Sequence, residues 1–168
     1  MSSYDRMTSM TLRFAKMHGA GNDYVVIDAR DEQREWASVA RDMLDRHYGI
    51  GADGLLLVEH SKMADVRMRM LNPDGSEAEM CGNGIRCIGK YVYDHGLTKE
   101  TDVTVETLGG TVSLSLRVVE GKVDQVTVDM GEPRPVPDSF HVRAKGDSDL
   151  LSEKIEGFDC SVISMGNP

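Results

Sequence analysis

The sequence has little of several features that would restrict its environment or its partners. It has 3 cysteines in 168 residues, an odd number that forms no disulfide framework and fits a reducing, cytoplasmic setting. Its longest aliphatic run is Leu55-Leu56-Leu57-Val58. A membrane span needs roughly 20 apolar residues, so none is expected. Residues 1–6 are polar and predict no secretory signal peptide.

Positive charge and metal-ligand spacing are scarce as well. The chain has 19 Lys and Arg against 28 Asp and Glu, which gives a formal net charge of −9. Binding to nucleic acid depends on clustered Lys and Arg that displace phosphate counterions, so we expect no nucleic-acid partner. Cys81 and Cys87 are too far apart for a Cys-x-x-Cys knuckle, and the 5 histidines form no His-x-x-x-His pair. We therefore expect no metal site.

Alternation of apolar and polar residues predicts strands over much of the chain. The predicted strands are residues 12–17 and 24–29, separated by a turn at 18–23, then 55–59, 66–71 and a meander over 102–130. Apolar residues at helical spacing predict one helix from Trp36 to His47, with Gly49 after its end. A second predicted helix runs from about Ile85 to Gly96. It carries few charges, so we expect other structure to enclose it.

Proline is concentrated in one place, which predicts a domain boundary. Three of the 5 prolines lie within residues 131–137, where the chain can continue neither a helix nor a ladder. We expect a flexible leader at 1–10, a first domain at 11–130 and a linker with the start of a second domain at 131–168. The strand-like segment that runs into Gly166-Asn167 is similar to the one that runs into Gly21-Asn22, and this weak repeat predicts a second, truncated domain.

The segment Cys81-Gly82-Asn83-Gly84 carries the chemistry of the chain. It opens the second predicted helix, so backbone N–H groups and the positive end of the helix dipole should surround the Cys81 thiol and favour its thiolate. The same N–H groups can bind a carboxylate, because Gly82 and Gly84 have no side chain to obstruct it. An amino acid bound in this way has its α-hydrogen beside Cys81. The arrangement predicts proton abstraction α to a carboxylate.

A structural interpretation of the same residues is possible. A free cysteine is more often a small buried hydrophobe than a catalyst, and Gly-Asn-Gly can form an ordinary turn. The two features together at a helix start favour catalysis. We expect core positions for Cys87 and Cys160, a hydrogen-bonding turn position for His18, and a solvated strand face for Arg67 and Arg69.

Several blocks of the sequence resemble diaminopimelate epimerases in order and spacing. These blocks are residues 14–28, 49–54, 72–77, 81–87 and 164–168. The resemblance implies an α+β fold of two pseudo-symmetric domains, each a curled antiparallel or mixed β-sheet around a central α-helix, with the substrate between them. It implies a cofactor-independent, two-thiol epimerase that interconverts LL- and meso-diaminopimelate in lysine and peptidoglycan precursor biosynthesis. A homodimer is implied too.

The resemblance also implies the residues of the site. Cys81 matches the first catalytic cysteine. The matching substrate contacts are Asn22, Asn72, Gly82 and Asn83 in the first domain and Asn167 in the second. The second catalytic cysteine, the Glu and Arg contacts of the second domain and a His after Pro168 have no counterpart, and Gly54 stands where some members have Gln. We therefore expect little epimerase activity from this chain alone and full activity from a full-length parent.

Two alternative functions stay open. The first is another enzyme on the same scaffold, such as a proline racemase or a phenazine-pathway isomerase. The Gly-Asn-Gly after Cys81 and the turn Asn72-Pro73-Asp74-Gly75 favour the diaminopimelate enzyme. The second is a non-catalytic module in which Cys81 is inert and the helix start only holds a carboxylate.

Overall fold

The structure is a computed structural model that describes residues 11–132, 152–155 and 157–161. Its elements are β1 (Ala15–Gly19), β2 (Asn22–Asp28), α1 (Trp36–Leu44), β3 (Gly54–Glu59), β4 (Val66–Leu71), β5 (Glu77–Ala78), α2 (Gly82–Asp94), β6 (Asp102–Thr107), β7 (Gly110–Val119), β8 (Lys122–Val128), β9 (Ser152–Ile155) and β10 (Phe158–Ser161). The predicted leader and most of the predicted linker, including Asn167, lie outside the described residues.

Strands β1 to β8 form one mixed sheet. Its order is β1-β2-β3-β4-β6-β7-β8, and β5 pairs with β4 at one end. The β2–β3 and β4–β6 pairs are parallel, whereas the other neighbours are antiparallel. Parallel neighbours need a crossover connection, which contains α1 in the first case and α2 in the second.

The sheet curls around α2. Ile85, Ile88 and Val92 of this helix have no exposed surface, and they share a core with side chains from β2, β3, β4, β6, β7 and β8. The helix contacts β1 and β8, the two outer strands of the sheet. This arrangement confirms the expected α+β fold with a curled mixed sheet around a central helix, and it confirms that α2 is enclosed.

The opposite face of the sheet packs against α1. Trp36, Ala40 and Leu44 of α1 form a second core with side chains from β2, β3 and β4. Successive residues of a strand point to opposite faces, so Val25 of β2 joins this core while Tyr24 joins the core around α2. Strands β2 and β3 are therefore buried on both faces.

The predicted turn at residues 18–23 is wrong in its length. Strand β1 extends to Gly19 and β2 begins at Asn22, so the turn consists of Ala20 and Gly21, with φ of 53° and 93°. Two successive positive φ angles are typical of a two-residue hairpin turn whose twist matches that of the strands. His18 therefore lies in β1, paired with Asp23, and not in the turn.

The first helix is shorter than predicted. It ends at Leu44, because Asp45 adopts an extended conformation with φ of −59° and ψ of 124°. The Asp45 carboxylate accepts the backbone N–H groups of His47 and Tyr48, both at 2.7 Å. Such local side-chain bonds compete with helix continuation. Gly49 therefore lies five residues after Leu44, and the helix ends because of Asp45.

The remaining predicted elements are close to those observed. Strand β4 agrees with the prediction, the meander begins at the predicted Asp102, and α2 ends at Asp94, two residues before Gly96. The Arg67 and Arg69 side chains are 34% and 25% exposed and pair with Glu59, so their strand face is only partly solvated. Among the described residues, no helix is both long and apolar enough to cross a membrane.

Candidate active site

Cys81 immediately precedes α2, as the sequence predicts. Its backbone is extended, with φ of −140° and ψ of 112°, and the helix begins at Gly82. The first helical hydrogen bond runs from the Ile85 N–H to the Cys81 carbonyl at 2.9 Å. The N–H groups of Gly82, Asn83 and Gly84 therefore have no acceptor within the helix. They gather beside a half-buried free thiol, a geometry that can bind a carboxylate.

The two glycines of the first turn have different surroundings. A Cβ atom at Gly84 would lie 3.1 Å from Leu56 Cδ2, so this glycine lets the helix pack closely on β3. A Cβ atom at Gly82 would lie 3.5 Å from Met130 Cε, which is an ordinary contact. The surroundings of Gly82 therefore have room for a methyl group. Because glycine has no such group, the backbone N–H groups stay accessible.

Tyr24, which no sequence pattern singles out, contacts the thiol. Its hydroxyl oxygen is 3.1 Å from Cys81 Sγ, and the residue has no exposed surface. Burial, and next the hydrogen bond to Cys81, raise the pKa of Tyr24 well above its usual value. Alternation along β2 places Tyr24 on the same face as Asn22, but it does not indicate which residue of α2 lies opposite.

Two of the predicted substrate contacts meet at the helix start. Asn83 Nδ2 donates to Asn22 Oδ1 at 2.8 Å, and Arg86 donates to Asn83 Oδ1. Asn22 Nδ2 in turn donates to Asp53 Oδ2 at 3.2 Å. Each asparagine amide is therefore held by a partner on both sides, which fixes its orientation.

Charged residues from the segment after α1 support Asn22. Arg46 Nη2 lies 2.7 Å from both Asp23 Oδ1 and Asp53 Oδ1, and Lys16 Nζ lies 2.8 Å from Asp23 Oδ2. The hydrogen bonds from Arg46 and then Lys16 hold the pKa of Asp23 well below its usual range. Arg46 and Asp53 were not predicted, because 23 and 30 positions separate them from their partner Asp23.

Asn72 lies at the same end of the sheet. The register pairs Tyr24 with Gly54 and Leu55 with Leu71, so β2 and β3 begin where β4 ends. Asn72 follows β4 directly, and its Nδ2 donates to Ser76 Oγ at 3.0 Å. The structure thus brings Asn72 to the end of the sheet that carries Asn22, with its side chain bonded inside its own turn.

Cys87 is separate from this arrangement. Cys87 is 3% exposed in the core around α2, and burial raises the pKa of its thiol to about 11, which confirms its structural position. Cys160 lies in β10, and its side chain is outside the described part of the chain. Across that described part, no group of three or more His, Cys, Asp or Glu side chains could hold a metal ion.

The chain is similar to known epimerases. The family model for diaminopimelate epimerase matches residues 14–136. Curated diaminopimelate epimerases from Acetivibrio thermocellus and Agathobacter rectalis are 49% and 48% identical to it, and each match covers 94% of this chain. The chain spans 58% and 59% of the length of these two relatives.

The solved structures agree with the fold. A hydroxyproline epimerase from Agrobacterium vitis matches with a TM-score of 0.58 and 19% identity, over 70% of this chain and 40% of that one. An identity this low is evidence for the architecture and not for the substrate.

Proposed function

The chain belongs to the diaminopimelate epimerase family, and on this premise we propose that Cys81 is one of two bases in an enzyme that interconverts LL- and meso-diaminopimelate. The main observation in support is the free thiol of Cys81 at the start of α2. The lysine and peptidoglycan precursor pathways are the proposed setting.

The substrate carboxylate is proposed to bind at the first turn of α2. Three backbone N–H groups there have no acceptor within the helix, and the dipole of α2 adds positive potential. The amides of Asn22 and Asn83 lie beside this turn, held in one orientation by Asp53 and Arg86. Asn72 and Asn167 are further proposed contacts.

The proposed reaction begins with the Cys81 thiolate. Its sulfur removes the α-hydrogen as a proton, and the electron pair of the C–H bond moves into the carboxylate to form an enediolate. The N–H groups of α2 stabilise the added negative charge without reorganising, since the helix holds them in place. An acid on the opposite side of the substrate then delivers a proton to the other face of the α-carbon, which inverts the stereocentre. Buried Cys87 does not suit this role, so we assign it to a residue of the full-length protein beyond these 168 residues, which span 58% of the length of a curated relative.

Sequence identity favours diaminopimelate over the alternative substrates of this fold. The chain is 49% identical to a curated diaminopimelate epimerase and 19% identical to the hydroxyproline epimerase of known structure. A proline racemase or a phenazine-pathway isomerase remains the alternative function that shares the scaffold. Parallel assays of the full-length protein with diaminopimelate and with proline distinguish these enzymes.

Hydrogen exchange in D₂O tests the role of Cys81. Full-length protein is incubated with LL-diaminopimelate, and α-deuteration and formation of the meso isomer are followed by NMR and chiral chromatography. We expect both in the parent and neither in Cys81→Ala, whereas Cys87→Ala keeps them. For the 168-residue chain alone we expect little inversion, because one base serves one face of the α-carbon. Inversion that survives Cys81→Ala would contradict the proposal.

The domain organisation, assembly and location are proposed as well. We assign residues 11–130 to a first domain, because β1 to β8 all lie within this range and form one sheet. Residues 131–168 are assigned to a linker and the start of a second domain, which predicts proteolytic cleavage near residues 131–137. A homodimer and a cytoplasmic location follow from the family resemblance, and the free thiols of Cys81 and Cys87 suit a reducing compartment. Light scattering tests the homodimer, and cell fractionation tests the location.

A further inference from the structure

A buried tyrosine hydroxyl faces the proposed catalytic sulfur, and the reaction described above makes no use of it. Tyr24 lies in β2 with no exposed surface, and its hydroxyl oxygen is 3.1 Å from Cys81 Sγ. Buried hydroxyl groups are costly unless they form hydrogen bonds. The hydrogen bond between the Tyr24 hydroxyl and Cys81 Sγ therefore stabilises the fold.

The direction of this hydrogen bond depends on the protonation of Cys81. A thiolate has no hydrogen to donate, so in that state the Tyr24 hydroxyl must be the donor. Burial raises the pKa of Tyr24 well above its usual value, which keeps the hydroxyl protonated at neutral pH. Hydrogen bonds to a charged acceptor are roughly twice as strong as neutral ones. The contact therefore stabilises the thiolate more than the thiol.

The Tyr24 ring has little freedom to turn away. Its backbone pairs with Met17 of β1 and Gly54 of β3. A Cβ atom at Gly54 would lie 3.3 Å from Tyr24 Cδ1 and 3.1 Å from Met70 Cε, so the ring occupies the space that this glycine leaves. The packing directs the hydroxyl towards the start of α2.

We propose that Tyr24 is a positioning residue that donates its hydroxyl hydrogen to Cys81 Sγ, which stabilises the thiolate and holds the sulfur in one orientation beside the first turn of α2. This inference rests on the proposed role of Cys81 as a base. It adds a residue from β2 that acts on substrate only through the sulfur.

Alkylation kinetics test this role in the chain as it exists. The rate of iodoacetamide reaction at Cys81 is measured by peptide mass spectrometry between pH 6 and pH 10. In Tyr24→Phe, which keeps the ring, we expect the midpoint of the rate profile to rise by about one pH unit and the rate at pH 7 to fall about tenfold. Tyr91→Phe is the matched control, since it removes the hydroxyl of another buried tyrosine, whose backbone lies about 14 Å along α2 from Gly82. Its profile should match that of the parent.

A Tyr24→Phe profile equal to that of the parent overturns the inference. Circular dichroism is used to check whether each variant is folded. If Tyr24→Phe does not fold, 3-fluorotyrosine at position 24 provides a second test, because its more acidic hydroxyl is a stronger donor. It should lower the midpoint, and an unchanged midpoint overturns the inference equally. A different result would contradict the proposed function, namely epimerisation that survives Cys81→Ala.

Discussion

A Cβ atom on Gly19 would lie 2.5 Å from the carbonyl oxygen of Asn83, closer than real Cβ atoms approach such an atom. Gly19 is the last residue of β1, and Asn83 lies in the first turn of α2. The missing side chain therefore lets the strand pass directly beside the helix start. This close approach brings the N–H groups of α2 to the end of the sheet where Asn22 begins β2.

Gly19→Ala should separate β1 from the first turn of α2. The obstructing atom belongs to the backbone, so the strand or the helix must move, and we expect a loss of about 1 to 3 kcal/mol in the free energy of unfolding. Urea denaturation measures it. Gly109→Ala is the control, because a Cβ atom there has only ordinary contacts, the nearest 3.5 Å from Met80 Cβ. Equal stability of the two variants would contradict the prediction.

Gly82→Ala should weaken substrate binding without lowering the stability of the fold. A Cβ atom at Gly82 makes an ordinary contact with Met130, and alanine is up to about 1 kcal/mol better than glycine in a helix, so we expect no loss in the free energy of unfolding. The same methyl group covers the N–H groups proposed to bind the substrate carboxylate. We expect the KM for diaminopimelate in the full-length protein to rise about tenfold, which corresponds to about 1.4 kcal/mol. An unchanged KM would place the carboxylate elsewhere.

The two described cysteines of the first domain should respond differently to alkylation. Burial raises the pKa of Cys87 to about 11, so at pH 8 its thiol stays protonated and is shielded from reagent. We expect iodoacetamide to modify Cys81 in the native protein and Cys87 only after urea is added. Peptide mass spectrometry after timed quenching measures both. Native modification of Cys87 at the rate of Cys81 would show that the core around α2 is open.

Substitution of these two cysteines should differ in its effect on activity. Cys87→Ala removes a buried sulfur and should lower the free energy of unfolding by about 1 kcal/mol while activity of the full-length protein is kept. Cys81→Ala should abolish epimerisation, and it should also lower the free energy of unfolding, because it leaves the buried Tyr24 hydroxyl without this partner. The comparison uses urea denaturation and the D₂O exchange assay on the same preparations.

The ion pairs around Asp23 predict a pH dependence. The folded-state pKa of Asp23 lies below its usual value, chiefly because of Arg46 and then Lys16. The folded state therefore binds fewer protons than the unfolded state, and this contribution to stability is present above about pH 4 and lost as the pH falls through the folded pKa. Arg46→Met should be less stable than the parent at pH 7, and the difference should shrink below about pH 4. Urea denaturation at pH 7, 4 and 3 tests this, and a difference independent of pH would contradict it.

Arg46→Met should also weaken substrate binding, because Arg46 holds Asp53, which accepts a hydrogen bond from Asn22. Arg117→Met is the matched control. It removes a somewhat more exposed ion pair, with Asp124, between β7 and β8. We expect a higher KM in the first variant and an unchanged KM in the second.

Local patterns in the sequence were sufficient to predict most elements of the fold. The period of two in β4 and the apolar spacing of α2 follow from geometry within each element, and so does the position of Cys81 at a helix start. The turn at Ala20 and the end of α1 were predicted with the wrong bounds. Each depends on the conformation of one or two residues, which periodicity does not register.

The contacts that organise the site could not be predicted in this way. Tyr24 meets Cys81 across 57 positions, and Asn22 meets Asn83 across 61. Arg46 reaches Asp23 only because the segment after α1 folds back onto the β1–β2 hairpin. Such pairs depend on strand register and on how closely α2 docks against the sheet. Both result from the packing of the whole core, in which every strand of the curled sheet constrains the others.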